Sequence, residues 1–183
     1  MDRLITLRKA TQADARFIAE NVLRALHIEE TNEQHIEHLA GISRRDDTLY
    51  SWRNATIALY DGVPAGLMVA YDGARYLSMR DITFPMIRIY VGDDYNSMDD
   101  EACAGEFYLD SLSVLPEFQR RGIASALMQE MLRLRDEAGI PLETILVDPE
   151  NDTAYRLYTK NGFRRNGQRT VFNTTYDRLE REA

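Results

Sequence analysis

The run Leu4-Ile5-Thr6-Leu7-Arg8 alternates as an opening strand does, and Thr11-Gln12-Ala13-Asp14 reads as a helix entry. Phe17, Ile18, Val22, Ala25 and Leu26 then recur at helical spacing, and a second helical stretch over about 33–41 puts Ile36, Leu39 and Ala40 on one side. Two apolar runs, Ala55 to Tyr60 and Ala65 to Tyr71, flank Asp61-Gly62-Val63-Pro64 and predict a hairpin. From Arg75 to Val91 the apolar residues follow no clean period, and Gly92 to Glu101 reads as an acidic loop. The order firms up after it. A strand at 106–115 precedes a helix at 120–138 closed by Gly139; a strand at 143–148, a helix at 151–161 closed by Gly162 and an alternating strand pair over about 163–178 follow. Strands and helices mixed in this order predict an α+β (mixed α/β) chain around one central sheet.

A length of 183 residues and an apolar share of 44% fit one ordinary globular domain, taken here as 1–183. Neither a long apolar leader core nor a stretch approaching the roughly 18 apolar residues of a membrane span is present, so a cytoplasmic protein without membrane partners is expected. The single cysteine, Cys103, rules out an internal disulfide framework and a multi-cysteine metal site. A formal charge of −8 argues against nucleic acid as a general partner, and is compatible both with a cationic acceptor and with plain solubility.

The candidate chemistry sits where the strand at 106–115 meets the following helix, in Gln119-Arg120-Arg121-Gly122-Ile123-Ala124. A glycine at a helix mouth lets a ligand approach the backbone, and the unpaired first-turn N–H groups favour an anion. Neither G-x-x-x-x-G-K-[ST] nor G-x-G-x-x-G occurs in the chain, which excludes the two commoner nucleotide loops. The pattern [QR]-x-x-G-x-[GA] after Val114-Leu115-Pro116 resembles the acyl-CoA-binding signature of the GCN5-related N-acetyltransferases (GNAT). Downstream, Asn151-x-x-Ala154-x-x-Leu157-Tyr158-x-x-x-Gly162-Phe163 matches the second signature of that family. The resemblance is specific over about 106–165, and over the first hundred or so residues it rests on element order alone.

The resemblance implies a central, mostly antiparallel sheet of about six or seven strands flanked by helices, with a V-shaped opening between the strands at 106–115 and 143–148. It also implies acetyl-CoA as acyl donor. Its pyrophosphate would lie on Gln119, Arg120, Arg121, Gly122, Ile123, Ala124 and Ser125, and its pantetheine arm would lie along the backbone of Leu112 and Val114. Ala124 stands where many members have glycine. Asn151 can cap the following helix or bond the pantetheine arm, and Tyr158 matches the general acid of the family, a phenol able to protonate a departing thiolate. The attacking amine must lose a proton. Glu106 and Asp110 alternate in phase with Leu112 and Val114, so they are the candidate bases on this strand, with Glu106 preferred and a water relay as the alternative.

No metal is expected: His35 and His38 with Glu33 and Glu37 read as a solvated helix face, Asp99-Asp100-Glu101 as a solvated loop and Cys103 as a loop residue rather than a nucleophile. The acceptor, a small-molecule or peptide amine, would be selected by the segments 27–54 and 73–105, which hold Tyr50, Trp52, Tyr76, Phe84, Tyr90 and Tyr95, with Tyr71 just before the second, although core packing competes for most of these rings. A catalytically inactive acyl-CoA-binding module and transfer of a longer acyl group are the alternatives. The paired C-terminal strands leave a homodimer open.

Overall fold

The hairpin at Asp61-Gly62 shows how local chemistry sets the register of the first strands. In the computed structural model, which describes residues 4–26, 28, 32–91 and 98–182, both turn residues lie in the left-handed region (φ 49° and 83°). A two-residue turn of this kind matches the natural strand twist. It is tighter than the four-residue connection expected from the sequence, and Val63 and Pro64 join the second strand instead. Pro64, which has no N–H to donate, is accommodated opposite Leu59 at a register shift between Ala58 and Leu59.

Seven strands follow the order β1-β2-β3-β4-β5-β7-β6, with β1 Ile5–Lys9, β2 Ala55–Tyr60, β3 Val63–Asp72, β4 Glu106–Val114, β5 Leu142–Val147, β6 Arg164–Val171 and β7 Thr174–Glu182. The β1/β2, β2/β3, β5/β7 and β6/β7 pairs are antiparallel, whereas β4 and β5 are parallel. The helices are α1 Ala15–Ala25, α2 Glu33–Ser43, α3 Tyr76–Val91, α4 Ile123–Ala138 and α5 Asp152–Lys160. Among the described residues no helix is long and apolar enough to cross a membrane.

The chain packs as two compact units, each drawn from two separate stretches. Met1–Ala70 with Ser111–Glu130 forms the first, and Tyr71–Asp110 with Met131–Ala183 the second.

In the first unit α1 buries Ala15, Ile18, Ala19, Val22 and Leu23, while Leu26 is exposed. Its entry is fixed by Asp14, whose carboxylate accepts from the Thr11 N–H at 2.8 Å and from the Arg8 guanidinium at 2.7 Å. Asn32 caps α2 by accepting from the His35 N–H at 2.9 Å. Gly66 on β3 makes room for the start of α4: a Cβ there would lie 3.0 Å from both Ile123 Cγ2 and the Ser113 carbonyl. A β-branched residue so common elsewhere in strands has no space at this point.

In the second unit the segment without clean periodicity contains α3. Its buried positions, Tyr76, Met79, Thr83, Phe84 and Ile87, do follow a helical stripe. One member is a threonine, whose hydroxyl turns back to the Met79 carbonyl (2.7 Å), and the exposed Leu77 and Ile89 blur the pattern. Pro85 sits inside the helix. Residues 92–97, the greater part of the expected acidic loop and including Tyr95, lie outside the described residues. The parallel ladder between β4 and β5 runs from Glu106↔Leu142 to Leu109↔Ile145, and the later residues of β4 lie beyond it.

Candidate active site

The first unit carries the helix mouth. The Leu115 N–H donates to the Ala65 carbonyl (2.9 Å), a single turn at Pro116–Phe118 follows, and Gln119 Nε2 reaches back to the Val114 carbonyl at 3.4 Å. Arg120 and Gly122 then both take left-handed dihedrals (φ 58° and 87°), which delays the helix to Ile123 rather than 120. For arginine this conformation costs about 1 kcal/mol, a strain that a well-determined surrounding must hold. At Gly122 an added Cβ would meet only Ile5 Cδ1, at 3.8 Å. The glycine is therefore required by its dihedral and not by a protein neighbour.

The first bond of α4 joins the Ala126 N–H to the Gly122 carbonyl (3.0 Å), so the N–H groups of Ile123, Ala124 and Ser125 precede the ladder. With the helix dipole they make an anion seat. The two arginines divide here. Arg121 donates to the Glu117 carbonyl (2.8 Å) and stacks its guanidinium over Tyr60 (5.0 Å) and Phe118 (5.6 Å), whereas Arg120 is exposed. Leu112 and Val114 are half-buried and alternate with buried Ser111 and Ser113. Ser113 donates to the buried Asn21 (3.0 Å), which fixes the end of β4 against α1.

The second unit carries the titratable groups. Tyr71 donates to Asp110 Oδ2 at 2.8 Å; Tyr108 donates to Glu101 Oε2 at 2.9 Å, and the longer contact from Tyr76 reaches Glu101 Oε1 at 3.4 Å. The Tyr71 and Tyr108 rings pack with centroids 5.8 Å apart. Burial, reinforced by the charges of Asp110 and Glu101, holds both hydroxyls well above the ordinary tyrosine range, so they remain donors. Glu101 is pushed up to about 7 by burial and then by the charge of Asp110, against the hydrogen bonds from Tyr108 and Tyr76. This partly buried carboxylate differs from its solvated reading in the sequence. Its neighbours Asp99 and Asp100 are exposed and engaged, with the Thr170 N–H (2.7 Å) and with Arg80 respectively.

Glu106, the preferred base from sequence, lies in a different environment. It is 7% exposed, 2.7 Å from Arg178 Nη2, and accepts from the Thr144 hydroxyl (3.1 Å) and the Cys103 thiol (3.3 Å). Its oxygens are thus committed to three groups of the protein, one of them a guanidinium that is itself buried. The Cys103 thiol is raised by burial and by its bond to Glu106, which disfavours the thiolate a nucleophile needs. Asp99, Asp100, Glu101, Cys103, Glu106 and Arg169 border a pocket of about 160 Å³.

Asn151 caps α5, its Oδ1 accepting from the Ala154 N–H at 3.0 Å, which leaves its amide nitrogen for other contacts. Two turns on, Tyr158 is 7% exposed and meets Phe163 edge-on at 6.1 Å. Its hydroxyl bonds to no described residue, and burial raises it above the usual phenol value. Among the described residues no group of His, Cys, Asp and Glu is arranged to hold a metal. Of the rings in and beside the acceptor segments, Tyr50, Tyr71, Tyr76 and Phe84 are buried.

Sequence reasoning did not single out Tyr108, Arg178, Gly66 or Gly73, and it read Glu101 only as part of a solvated loop. The period-2 phase that links Asp110 to Leu112 also contains Tyr108, so that residue was within reach. Glu101 and Arg178 depend on tertiary pairing and leave no local trace.

An acetyltransferase (GNAT) domain model matches residues 64–165. Over 57 residues, 31% of this chain, the sequence is 40% identical to the GCN5-like protein acetyltransferase Rv2170 of Mycobacterium tuberculosis (strain ATCC 25618 / H37Rv), a stretch that spans 28% of that relative. Among solved structures, an acetyltransferase shares the fold at TM-score 0.78 and 25% identity, with 97% of this chain and 98% of that one covered. The aminoglycoside acetyltransferase AAC(6')-Ib, solved in complex with coenzyme A, is similar at TM-score 0.67 and 18% identity over 98% of this chain and 95% of its own.

Proposed function

Because the chain belongs to the GNAT acetyltransferase family, whose domain its residues 64–165 match, we infer that it is a cytoplasmic, single-domain N-acetyltransferase that uses acetyl-CoA to acylate a primary amine of a small molecule or peptide. The observation that carries this reading is the turn at Arg120 and Gly122, whose left-handed dihedrals lead directly into the first turn of α4, where the N–H groups precede the helix ladder. A bare glycine with open space beside it and three preceding N–H groups fit a pyrophosphate. Arg120 adds charge at the rim, and Arg121 supports the turn by stacking on Tyr60 and Phe118. The backbone of Leu112 and Val114, beyond the β4/β5 ladder, fits a strand-like pantetheine arm.

Bound acetyl-CoA would supply the acyl group as a thioester. Asp110 takes a proton from the acceptor ammonium, and the hydrogen bond from Tyr71 keeps its carboxylate oriented. The freed amine nitrogen forms a bond to the acyl carbon as the carbon–sulfur bond breaks. Tyr158, which keeps its proton at neutral pH, gives it to the leaving sulfur. The amine's second proton and the one held by Asp110 then leave the site, one of them in effect restoring Tyr158 and the other passing to solvent, so that one proton is released per turnover. Asp110 is preferred over Glu106 as base because Glu106 is committed to Arg178.

Release of free thiol from acetyl-CoA across a panel of amines, with the product mass confirming N-acetylation, tests the reading. Parallel reactions with propionyl-CoA and succinyl-CoA test the acyl choice. Stabilisation by coenzyme A without turnover of any amine or any donor would oppose an enzyme and favour the inactive binding module.

A further inference from the structure

Glu101 has no part in the reaction as described so far, yet it is built into the environment of the base. Its Oε2 accepts from Tyr108, two residues before Asp110 on the same face of β4, and the Tyr108 ring packs on Tyr71, which donates to Asp110. Two carboxylates are thus tied to adjoining tyrosines, and both tyrosines are buried. We propose that Glu101 and Asp110 act as one proton-sharing pair, in which Glu101 is a positioning residue that carries the shared proton at rest and so keeps Asp110 ionised to receive the proton of the acceptor amine.

The physical reason is charge economy in a poorly solvated place. Two neighbouring carboxylates cannot both ionise cheaply, so around neutrality the pair holds one proton between them. Before transfer Asp110 is ionised and Glu101 neutral. When Asp110 takes a proton from the ammonium, the repulsion that held Glu101 protonated disappears, and Glu101 releases its own proton through the adjoining pocket of about 160 Å³. Once Glu101 has released its proton the pair again carries one negative charge, and passage of the remaining proton from Asp110 to Glu101 restores the resting state. The rise of Glu101 to about 7, caused by burial and then by Asp110, agrees with this arrangement.

The charged groups around Glu101 do not supply an alternative partner. Arg80 from α3 engages Asp81 and Asp100, and Arg178 from β7 engages Glu106 and Glu180. Tyr76 bonds Glu101 weakly at 3.4 Å, and Tyr176 on β7 is itself raised, first by burial. Arg169 from β6, Asp99 and Cys103 share the pocket wall with Glu101, but they bond the Gln168 carbonyl, the Thr170 N–H and Glu106 respectively.

The proposal deepens the acetyltransferase reading and rests on it for its catalytic meaning, so its test has an arm that needs no substrate. The side-chain carboxyl of Glu101 is followed by carbon NMR on protein labelled at glutamate, with Glu101→Gln giving the assignment. In the wild type it should titrate near neutrality. In Asp110→Asn its midpoint should fall by at least about one pH unit, a tenfold change in proton affinity. Tyr71→Phe keeps the ring and removes the donor that favours ionised Asp110, so it should shift Glu101 in the same direction even if Asp110→Asn folds poorly. In the kinetic arm, the neutral-range inflection of kcat against pH should vanish in Glu101→Gln and return in part in Glu101→Asp.

A wild-type Glu101 that titrates in the ordinary carboxylate range, or one unmoved by both Asp110→Asn and Tyr71→Phe, overturns the pair. A shared titration in a protein inert to every amine keeps the pair and removes the acetyltransferase reading. An active enzyme whose Glu101 titrates independently of Asp110 does the reverse.

Discussion

Arg178 Nη2 lies 2.7 Å from Glu106 Oε1, and the two residues are only 6% and 7% exposed. The contact joins β7 to the start of β4, with the Thr144 hydroxyl on the other carboxylate oxygen. Removing Glu106 would leave the buried guanidinium with Glu180 as its remaining carboxylate partner. Glu106→Ala should lower unfolding free energy by about 2 to 3 kcal/mol in urea titrations, with Glu106→Gln intermediate. A folded Glu106→Ala protein of unchanged stability that cannot transfer acetyl would return Glu106 to the role of base.

Gly122 separates backbone strain from ligand space. Its φ of 87° penalises any side chain, while an added Cβ has only Ile5 nearby at 3.8 Å. Gly122→Ala should therefore fold with a loss of about 1 kcal/mol. Gly122→Glu brings a carboxylate to the seat of an anion and should abolish thermal stabilisation by coenzyme A. An unchanged ligand-induced rise in Tm in folded Gly122→Glu would remove the pyrophosphate assignment.

At Gly73 the neighbour is the protein itself. A Cβ would stand 2.2 Å from the Cys103 carbonyl and 3.0 Å from that of Glu106, both backbone atoms that cannot turn aside. Gly73→Ala should displace the segment holding Glu101 and Cys103 and destabilise the protein by roughly 2 kcal/mol or more. Chemical denaturation checks the loss. An alanine protein as stable as the wild type would contradict the close approach.

The acid limb of stability should report Asp14. Its carboxyl is lowered from 3.8 to about 2, chiefly by the hydrogen bonds from Arg8 against the opposing effect of burial. A folded-state value below the unfolded one means that the contribution is present above about pH 4 and is lost as pH falls through about 2. Asp14→Asn should narrow the stability gap between about pH 5 and about pH 3 in urea unfolding relative to the wild type. An identical gap in both proteins would show that the Arg8 contact does not act on folding.

What could be read from the chain follows how local the cause is. Tyr158, Asn151 and Gly122 carry their meaning in spacing and backbone chemistry, so the cap at Asn151 and the helix mouth at Gly122 were legible. The two-residue hairpin was legible in kind but not in length, since Pro64 inside a strand depends on the register shift opposite it. The helix α3 was hidden because Thr83 and Pro85 interrupt an apolar stripe that only packing completes. Glu101 read as solvated because Tyr76 and Tyr108, which receive it, lie 25 and 7 residues away in sequence. The preference proposed for Asp110 over Glu106 draws on Arg178, which lies 72 residues from Glu106 in sequence.

Tyr158→Phe tests the central claim most directly, because the hydroxyl it removes bonds to no described residue and its loss should leave folding intact. With an amine acceptor found by thiol release, steady-state kinetics of the two proteins should show kcat lower by roughly 100-fold in Tyr158→Phe, with KM for acetyl-CoA and thermal stability little changed. Equal kcat in the two proteins across pH would contradict Tyr158 as the acid that protonates the leaving thiolate.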